Sequence, residues 1–224
     1  MRAVCEDSAV STFDDRLQCD GCPSYTADYG QTAYRYQLWA IYVGHFSRKD
    51  SDELLVVLGG CEDAHSPMGA VLLTREGAAW KNSGYFEAGD PCLPVRAPDG
   101  FDRLICEVDD MHFGNCVGVL EARSFKNNAP YAEPLLHLSG NLGGGDAPGG
   151  RCYGQGITSL EKLPSGAGFT VTIKQTSGPL PEGVDSCADY DNGGPQQTIV
   201  LNFRFDGDDF VLAPESEADM KRLQ

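Results

Sequence analysis

The chain is poor in positive charge. Its 17 Lys and Arg stand against 33 Asp and Glu, a formal net charge of −16 in 224 residues. Such a chain repels phosphate backbones, so nucleic-acid binding is excluded and a basic partner or a cation is favoured. Acidity of this size also keeps an exported protein soluble and monomeric. Long apolar runs are missing too: no window approaches the roughly 20 residues of a membrane-spanning helix, which predicts no membrane span. Helical periodicity is absent, because no amphipathic pattern survives twelve residues without Gly or Pro, except a short C-terminal stretch around Glu215 to Leu223. Histidine occurs only at 45, 65, 112 and 137, never in an HExxH or HxH spacing. There is no GxSxG elbow, P-loop or GxGxxG fingerprint, so serine-hydrolase, nucleotide-hydrolysing and dinucleotide-dependent chemistries lack support and no nucleophile is nominated.

What the chain does have is cysteine. Nine, at 5, 19, 22, 61, 92, 106, 116, 152 and 187, are spread along most of the length. That spread suits cross-links between strands in an oxidising compartment, secreted or periplasmic, better than one metal knuckle; buried thiols in a cytosolic protein are the alternative. The odd count leaves one thiol over. Cys5 is open to two readings, a lipid-anchor cysteine or, preferred, an ordinary disulfide cysteine. The Cys19-Asp20-Gly21-Cys22 spacing has no parallel βαβ context for redox chemistry and no second CxxC for a zinc ribbon, so it too reads as structural.

The expected fold class is all-β, built of antiparallel hairpin repeats, propeller-like or sandwich-like and stabilised by disulfides. Residues 1–30 read as a disulfide-tied irregular cap with one helical turn from Thr12 to Leu17. Residues 31–140 form a β-repeat region, 141–151 a Gly-rich loop or linker, and 152–224 a C-terminal hairpin region, together one domain. Tyr34 to Phe46 is apolar on both faces after Arg35 and Gln37, as in a strand buried between layers, and Leu54–Leu58 and Ala70–Leu73 continue in that manner. Phe169, Val171 and Ile173 alternate with Thr170, Thr172 and Lys174, and Ile199, Leu201, Phe203 and Phe205 with Thr198, Val200, Asn202 and Arg204, which marks half-buried strands. Three acidic-Gly turns end apolar runs, at Glu76-Gly77, Asp99-Gly100 and Asp206-Gly207, and supply the positive φ of tight hairpins. Counting outward from Pro98-Asp99-Gly100 sets Cys92 opposite Cys106, which predicts a cross-strand disulfide.

The segment GHFSRKDSDELLVV, residues 44–57, resembles a degenerate FG-GAP or VCBS-type repeat of β-propellers, with fainter echoes at Asp99–Cys106 and Gly166–Ile173. In that family a G-x-F strand end precedes an acidic loop and then D-E-L-x-V. The resemblance implies a propeller-like repeat. The family's calcium loop sets oxygen ligands at positions that here hold His45, Ser47 and Lys49. An ammonium cannot coordinate calcium, so no cofactor is expected and calcium is disfavoured.

The richest titratable neighbourhoods are Glu62, Asp63 and His65, and Asp109, Asp110 and His112, each pairing carboxylates with a nearby imidazole. Converging on one rim, they would bind a cation or act as an acid–base pair; apart, they are solvated turns. Asp189–Asn192 and Asp206–Asp209 are oxygen-rich but lack the spacing of an EF-hand loop. The favoured reading is a noncatalytic binding or structural β module with an unidentified protein or glycan partner, open to oligomerisation. One rival is a secreted, glycan-acting hydrolase with paired carboxylates. Another is an acidic inhibitor or immunity protein against a basic enzyme.

Overall fold

Within each of two sheets, strands adjacent in sequence pair with one another. The computed structural model describes residues 1–26, 35–61, 68–88, 92–112, 115–126, 129–142, 150–180, 182, 187 and 195–223, with the backbone alone of 87, 88, 109–112, 115, 116 and 126. One antiparallel sheet runs in the order β1 (Val10–Phe13), β2 (Arg16–Cys19), β3 (Tyr36–Gly44), β4 (Glu53–Gly59), β5 (Met68–Glu76) and β6 (Ala79–Ala88). The other contains β7 (Cys92–Arg96), β8 (Asp102–His112), β9 (Asn115–Lys126), β10 (Ala129–Gly140), β11 (Arg151–Lys162), β12 (Gly168–Pro179), β13 (Gln196–Phe205) and β14 (Phe210–Leu212), again in sequence order. Neither sheet closes, and the chain is all-β, antiparallel and disulfide-stabilised as expected. A meander of this kind needs only hairpin connections, and Gly turns provide several of them. Gly77, Gly100 and Gly207 have φ of 63°, 93° and 125°, and the flanking strands close at Glu76↔Ala79 and Phe205↔Phe210.

The chain divides into two compact units. The first comprises Met1–Pro94, Gly100–Cys106 and Arg123–Ala132, and the second Val95–Asp99, Glu107–Ala122 and Glu133–Gln224. In the second, Phe169 and Phe203 are cross-strand partners whose rings stack at 5.0 Å, and Phe210 meets Phe169 edge-on. The alternation seen in the sequence is kept: Val171, Ile173, Ile199 and Leu201 are buried while Val200 and Arg204 face water. The ends of the Gly-rich segment are tied, since buried Asn141 donates to Arg151 O and accepts from Tyr153 N; residues 143–149 lie outside the described part. The C-terminal stretch is a 3-10 turn, Pro214–Ser216, running into the short helix α2 (Glu217–Met220).

The first unit has apolar packing on both faces of its sheet. Val56, Leu58, Val71 and Leu73 pack with Val4, Cys5 and Cys19 of the N-terminal segment, where Arg2–Cys5 form helix α1. Leu55, Val57, Ala70 and Leu72 pack on the opposite face with Phe46, Leu104 and Cys106. Disulfides Cys5–Cys19 and Cys22–Cys61 anchor the N-terminal segment, so the two cysteines of the CxxC spacing have different partners. With Cys92–Cys106 and Cys152–Cys187, eight cysteines are paired, and the ninth by subtraction is Cys116 on β9. Cys5 is therefore the ordinary disulfide cysteine, and its sulfur is not free to carry a lipid.

Two expectations are corrected. Residues 12–17 form no helical turn: they are the β1–β2 hairpin, turned by Asp14 and Asp15 at φ 48° and 61°. Asp is among the few residues that tolerate the left-handed region, so consecutive aspartates substitute for the usual Asn-Gly or Asp-Gly. Nor is β3 buried between layers. Trp39, Ile41 and Val43 are 47, 51 and 65 % exposed, because β2 pairs with β3 only at Tyr36 and Gln37.

Candidate functional site

The loop from β3 to β4 carries the propeller-like motif, and its geometry comes from protein–protein bonds. The fully buried Glu53 carboxylate accepts from Ser47 N at 2.6 Å, Ser47 Oγ at 2.5 Å and Arg48 N at 3.3 Å. A carboxylate that gathers several donors from one loop fixes its shape, and burial makes each charge-assisted bond costly to lose. Asp102 Oδ2 accepts from His45 N at 2.7 Å, and the return bond from Asp102 N to His45 O is 2.8 Å. Gly44 makes room for that carboxylate, since a Cβ there would lie 2.9 Å from Asp102 Oδ2 and 3.0 Å from the Phe46 ring. The glycine of the G-x-F motif is thus what leaves room for both Asp102 and Phe46. Lys49 extends over Phe101, 4.8 Å from the ring centre, where its ammonium makes a cation–π contact. Of the positions the resemblance would give to calcium ligands, Ser47 is held by Glu53 and Lys49 rests on Phe101.

Next to this loop is a cleft of about 230 Å³ lined by Ser47, Arg48, Thr74, Lys81 and Ser83, with Leu72 among its walls. It lies where β5 and β6 slip register between Leu72 and Leu73, which leaves Ser83 with no residue directly opposite in the ladder. The cleft is smaller than the about 300–1,000 Å³ typical of small-molecule sites. Its polar groups also engage one another: Lys81 donates to Glu76 at 3.0 Å, the Thr74 and Ser83 hydroxyls are hydrogen-bonded, and Asn82 Oδ1 accepts from Gly84 N. Among the described residues His45 is nearest to catalytic apparatus, with Nδ1 3.6 Å from Asp102 and Nε2 3.8 Å from Asp52. Both distances exceed hydrogen-bond length, and the neighbouring Ser47 hydroxyl bonds Glu53.

The proposed acid–histidine rim lies largely outside the described residues. Glu62, Asp63 and His65 lie outside the described residues, as do 189–192; Asp109, Asp110 and His112 are the last residues of β8, described there by backbone alone. The Asp206 turn is described: Asp206 Oδ1 accepts from Asp208 N and Asp209 N at 3.0 and 3.1 Å. These bonds hold the Asp206 carboxyl below its ordinary pKa, as expected for a carboxylate caught by backbone N–H groups. The carboxylate shapes its own hairpin. Among the described residues no cluster of three or more His, Cys, Asp or Glu is placed to hold a metal, and no helix is long and apolar enough to cross a membrane.

The feature that sequence reasoning missed is the outer edge of β3. Ile41 and Val43 pair with Val56 and Leu54 of β4 and so share their sheet face. The N-terminal segment covers Val56 yet leaves Ile41 and Val43 half-exposed or more. Trp39 lies at a bulge between Leu38 and Ala40, with the Arg16 guanidinium 4.5 Å from its ring centre. Leu17 on β2 and Val10 and Phe13 on β1 add exposed apolar side chains. The available signal was that β3, YQLWAIYVG, holds no charge and no proline in nine residues. Compared with known proteins, the chain matches no family model, no curated protein and no solved structure.

Proposed function

We propose that this protein is a noncatalytic binding module of an oxidising, non-cytoplasmic compartment, secreted or periplasmic. One observation carries the reading: the large apolar side chains of Trp39, Ile41 and Val43 are exposed together on β3. Natural edge strands are normally blunted by charge, proline or cover, and an unblunted apolar edge is a recognition surface or an aggregation hazard. The cleft supports the same reading, because Lys81 bonds Glu76 there and the Thr74 and Ser83 hydroxyls bond each other. Four disulfides favour an oxidising compartment.

The test is a panel of ester, peptide and glycoside substrates run beside glycan and protein arrays, with wild type and a Trp39→Ala/Ile41→Gln variant. The expected result is no turnover, with an array signal that falls at least fivefold in the variant. Glycan cleavage abolished by Asp109→Asn or Asp110→Asn would overturn the proposal in favour of a hydrolase.

A further inference from the structure

We infer that the Cys22–Cys61 disulfide is a thiol-opened latch on residues 1–26, a strap that gates the apolar sheet face shared by Ile41 and Val43. This rests on the binding-module reading and adds the regulation of its surface. The strap is bonded to itself. Cys5–Cys19 closes it internally, β1 and β2 form its hairpin, Ser24 N donates to Glu6 and the Tyr25 hydroxyl donates to Val4 O. On the sheet it packs against Val56, Leu58, Val71 and Leu73, pairs Gln18 and Cys19 with Gln37 and Tyr36, and sets Tyr25 against the Tyr85 ring at 5.2 Å. Of the four disulfides, Cys22–Cys61 is the one that fastens the strap to the sheet, just past the end of β4.

Exposure singles out this bond. Exchange begins when a thiolate reaches a disulfide sulfur, so its rate follows access. Cys22 is exposed, whereas Cys5, Cys19, Cys152 and Cys187 are fully buried and Cys92 is half-buried beside a fully buried Cys106. A dithiol reductant therefore meets Cys22 first. One of its thiolates attacks Cys22 Sγ, forming a mixed disulfide and expelling the Cys61 thiolate, which takes a proton. The second thiol then displaces the Cys22 thiolate, so the protein gains two thiols and the dithiol leaves as its own disulfide, oxidised by two electrons.

Opening enlarges the binding surface. Ile41 and Val43 sit opposite Val56 and Leu54 on β4 and so share the face that the strap covers. With the latch closed, Val56, Leu58, Val71 and Leu73 are buried beneath the strap; its release extends the apolar surface of β3 across β4 and β5. The opposite face keeps its own packing, with Leu55, Val57, Ala70 and Leu72 against Phe46 and Leu104, so the sheet outlasts the strap. In an oxidising compartment the closed form is the resting one, and a reducing thiol is the signal.

The test is limited reduction of the full chain with dithiothreitol, followed by alkylation and mass spectrometry, by emission of the apolar dye ANS and by hydrogen exchange. Cys22 and Cys61 should be alkylated about tenfold faster than the other bonded cysteines, counted against the unreduced chain. At that stage ANS emission should rise about threefold, and amides of residues 1–26 should lose protection while those of β12 and β13 keep theirs. Reoxidation should reverse both changes. Cys22→Ser/Cys61→Ser should bind ANS without reductant and gain nothing from it, and hydrogen exchange on the wild type keeps the test decisive if that variant does not fold. Another disulfide opening first, or all four opening together, would overturn the latch. Selective opening with unchanged ANS emission and exchange, or with protection lost throughout the chain, would overturn the gate. Each of these outcomes leaves the binding-module reading standing, which falls instead on enzymatic turnover by the unreduced chain.

Discussion

Lys49 holds its ammonium 4.8 Å from the centre of the Phe101 ring, on the loop whose sequence most resembles a calcium-binding repeat. The contact places a cation where a metal would need an oxygen. A submicromolar calcium site would add about 4 kcal/mol of stability in 1 mM calcium, enough to move the melting temperature by several degrees. The expectation is that neither 1 mM calcium nor EDTA shifts it measurably. A calcium-dependent rise of several degrees, lost in a variant of this loop, would reverse that conclusion.

Glu53 is a stronger determinant of the same loop. Its buried carboxylate accepts from the backbone of both Ser47 and Arg48, and removing it leaves those donors without their acceptor. Glu53→Ala should cost about 2–4 kcal/mol in urea denaturation, and Glu53→Gln, which keeps one acceptor oxygen, should cost less. A loss below about 0.5 kcal/mol for Glu53→Ala would show that the carboxylate does not organise the loop.

Glycine positions separate two kinds of constraint. Gly207 has φ of 125° with nothing within 4 Å of a built Cβ, so Gly207→Val meets only the backbone penalty and should cost about 1–3 kcal/mol. Gly60, at φ 114°, would place a Cβ 2.4 Å from Arg35 O, so even Gly60→Ala meets both strain and a backbone clash. Thermal melts should therefore rank Gly60→Ala well below Gly207→Ala in stability. Equal melting temperatures would contradict the close approach at Arg35.

These turns show what the sequence made legible. Acidic-Gly pairs and the apolar residues spaced two apart from Phe169 to Ile173 and from Ile199 to Phe203 are local signals, and they marked hairpins and buried faces directly. The β1–β2 turn escaped because Asp14-Asp15 lacks the glycine by which such turns are recognised. The exposure of β3 escaped for another reason. An apolar strand reads alike whether a neighbouring strand covers it or stops short, and where β2 ends is set by a two-residue pairing that no local pattern encodes. The exposure of Trp39, Ile41 and Val43 is what turns a strand read as core into the candidate binding surface.

Cys92 and Cys106 are disulfide-bonded with Cα atoms 4.2 Å apart, close to the spacing of a directly opposed, non-hydrogen-bonded pair. The bridge spans 14 residues of sequence. In the chain-entropy account a loop of that length contributes about 3 kcal/mol. The double variant Cys92→Ser/Cys106→Ser should therefore unfold at markedly lower urea, with an intact fold in dilute buffer. Non-reducing peptide mapping should return these two residues as one linked pair. Either residue recovered as a free thiol or bonded elsewhere would refute the assignment.

The Asp206 turn supplies a pH dependence with a definite sign. The carboxyl's folded-state pKa lies below the ordinary 3.8 because Asp208 N–H and then Asp209 N–H donate to it. A carboxyl depressed on folding contributes stability that is fully present above the unfolded value and is lost as pH falls through the folded one. Asp206→Asn keeps an acceptor oxygen at the turn and removes the titration, so comparing it with wild type isolates this group from general acid denaturation. The wild-type advantage in melting temperature should be constant from neutral pH down to about pH 5, then shrink as pH falls below 3.8. Because the group is fully exposed, the advantage should also diminish in high salt. An advantage that grows on acidification would mean that the charged carboxylate is a burden in the folded state and that the two backbone bonds do not outweigh repulsion from Asp208 and Asp209.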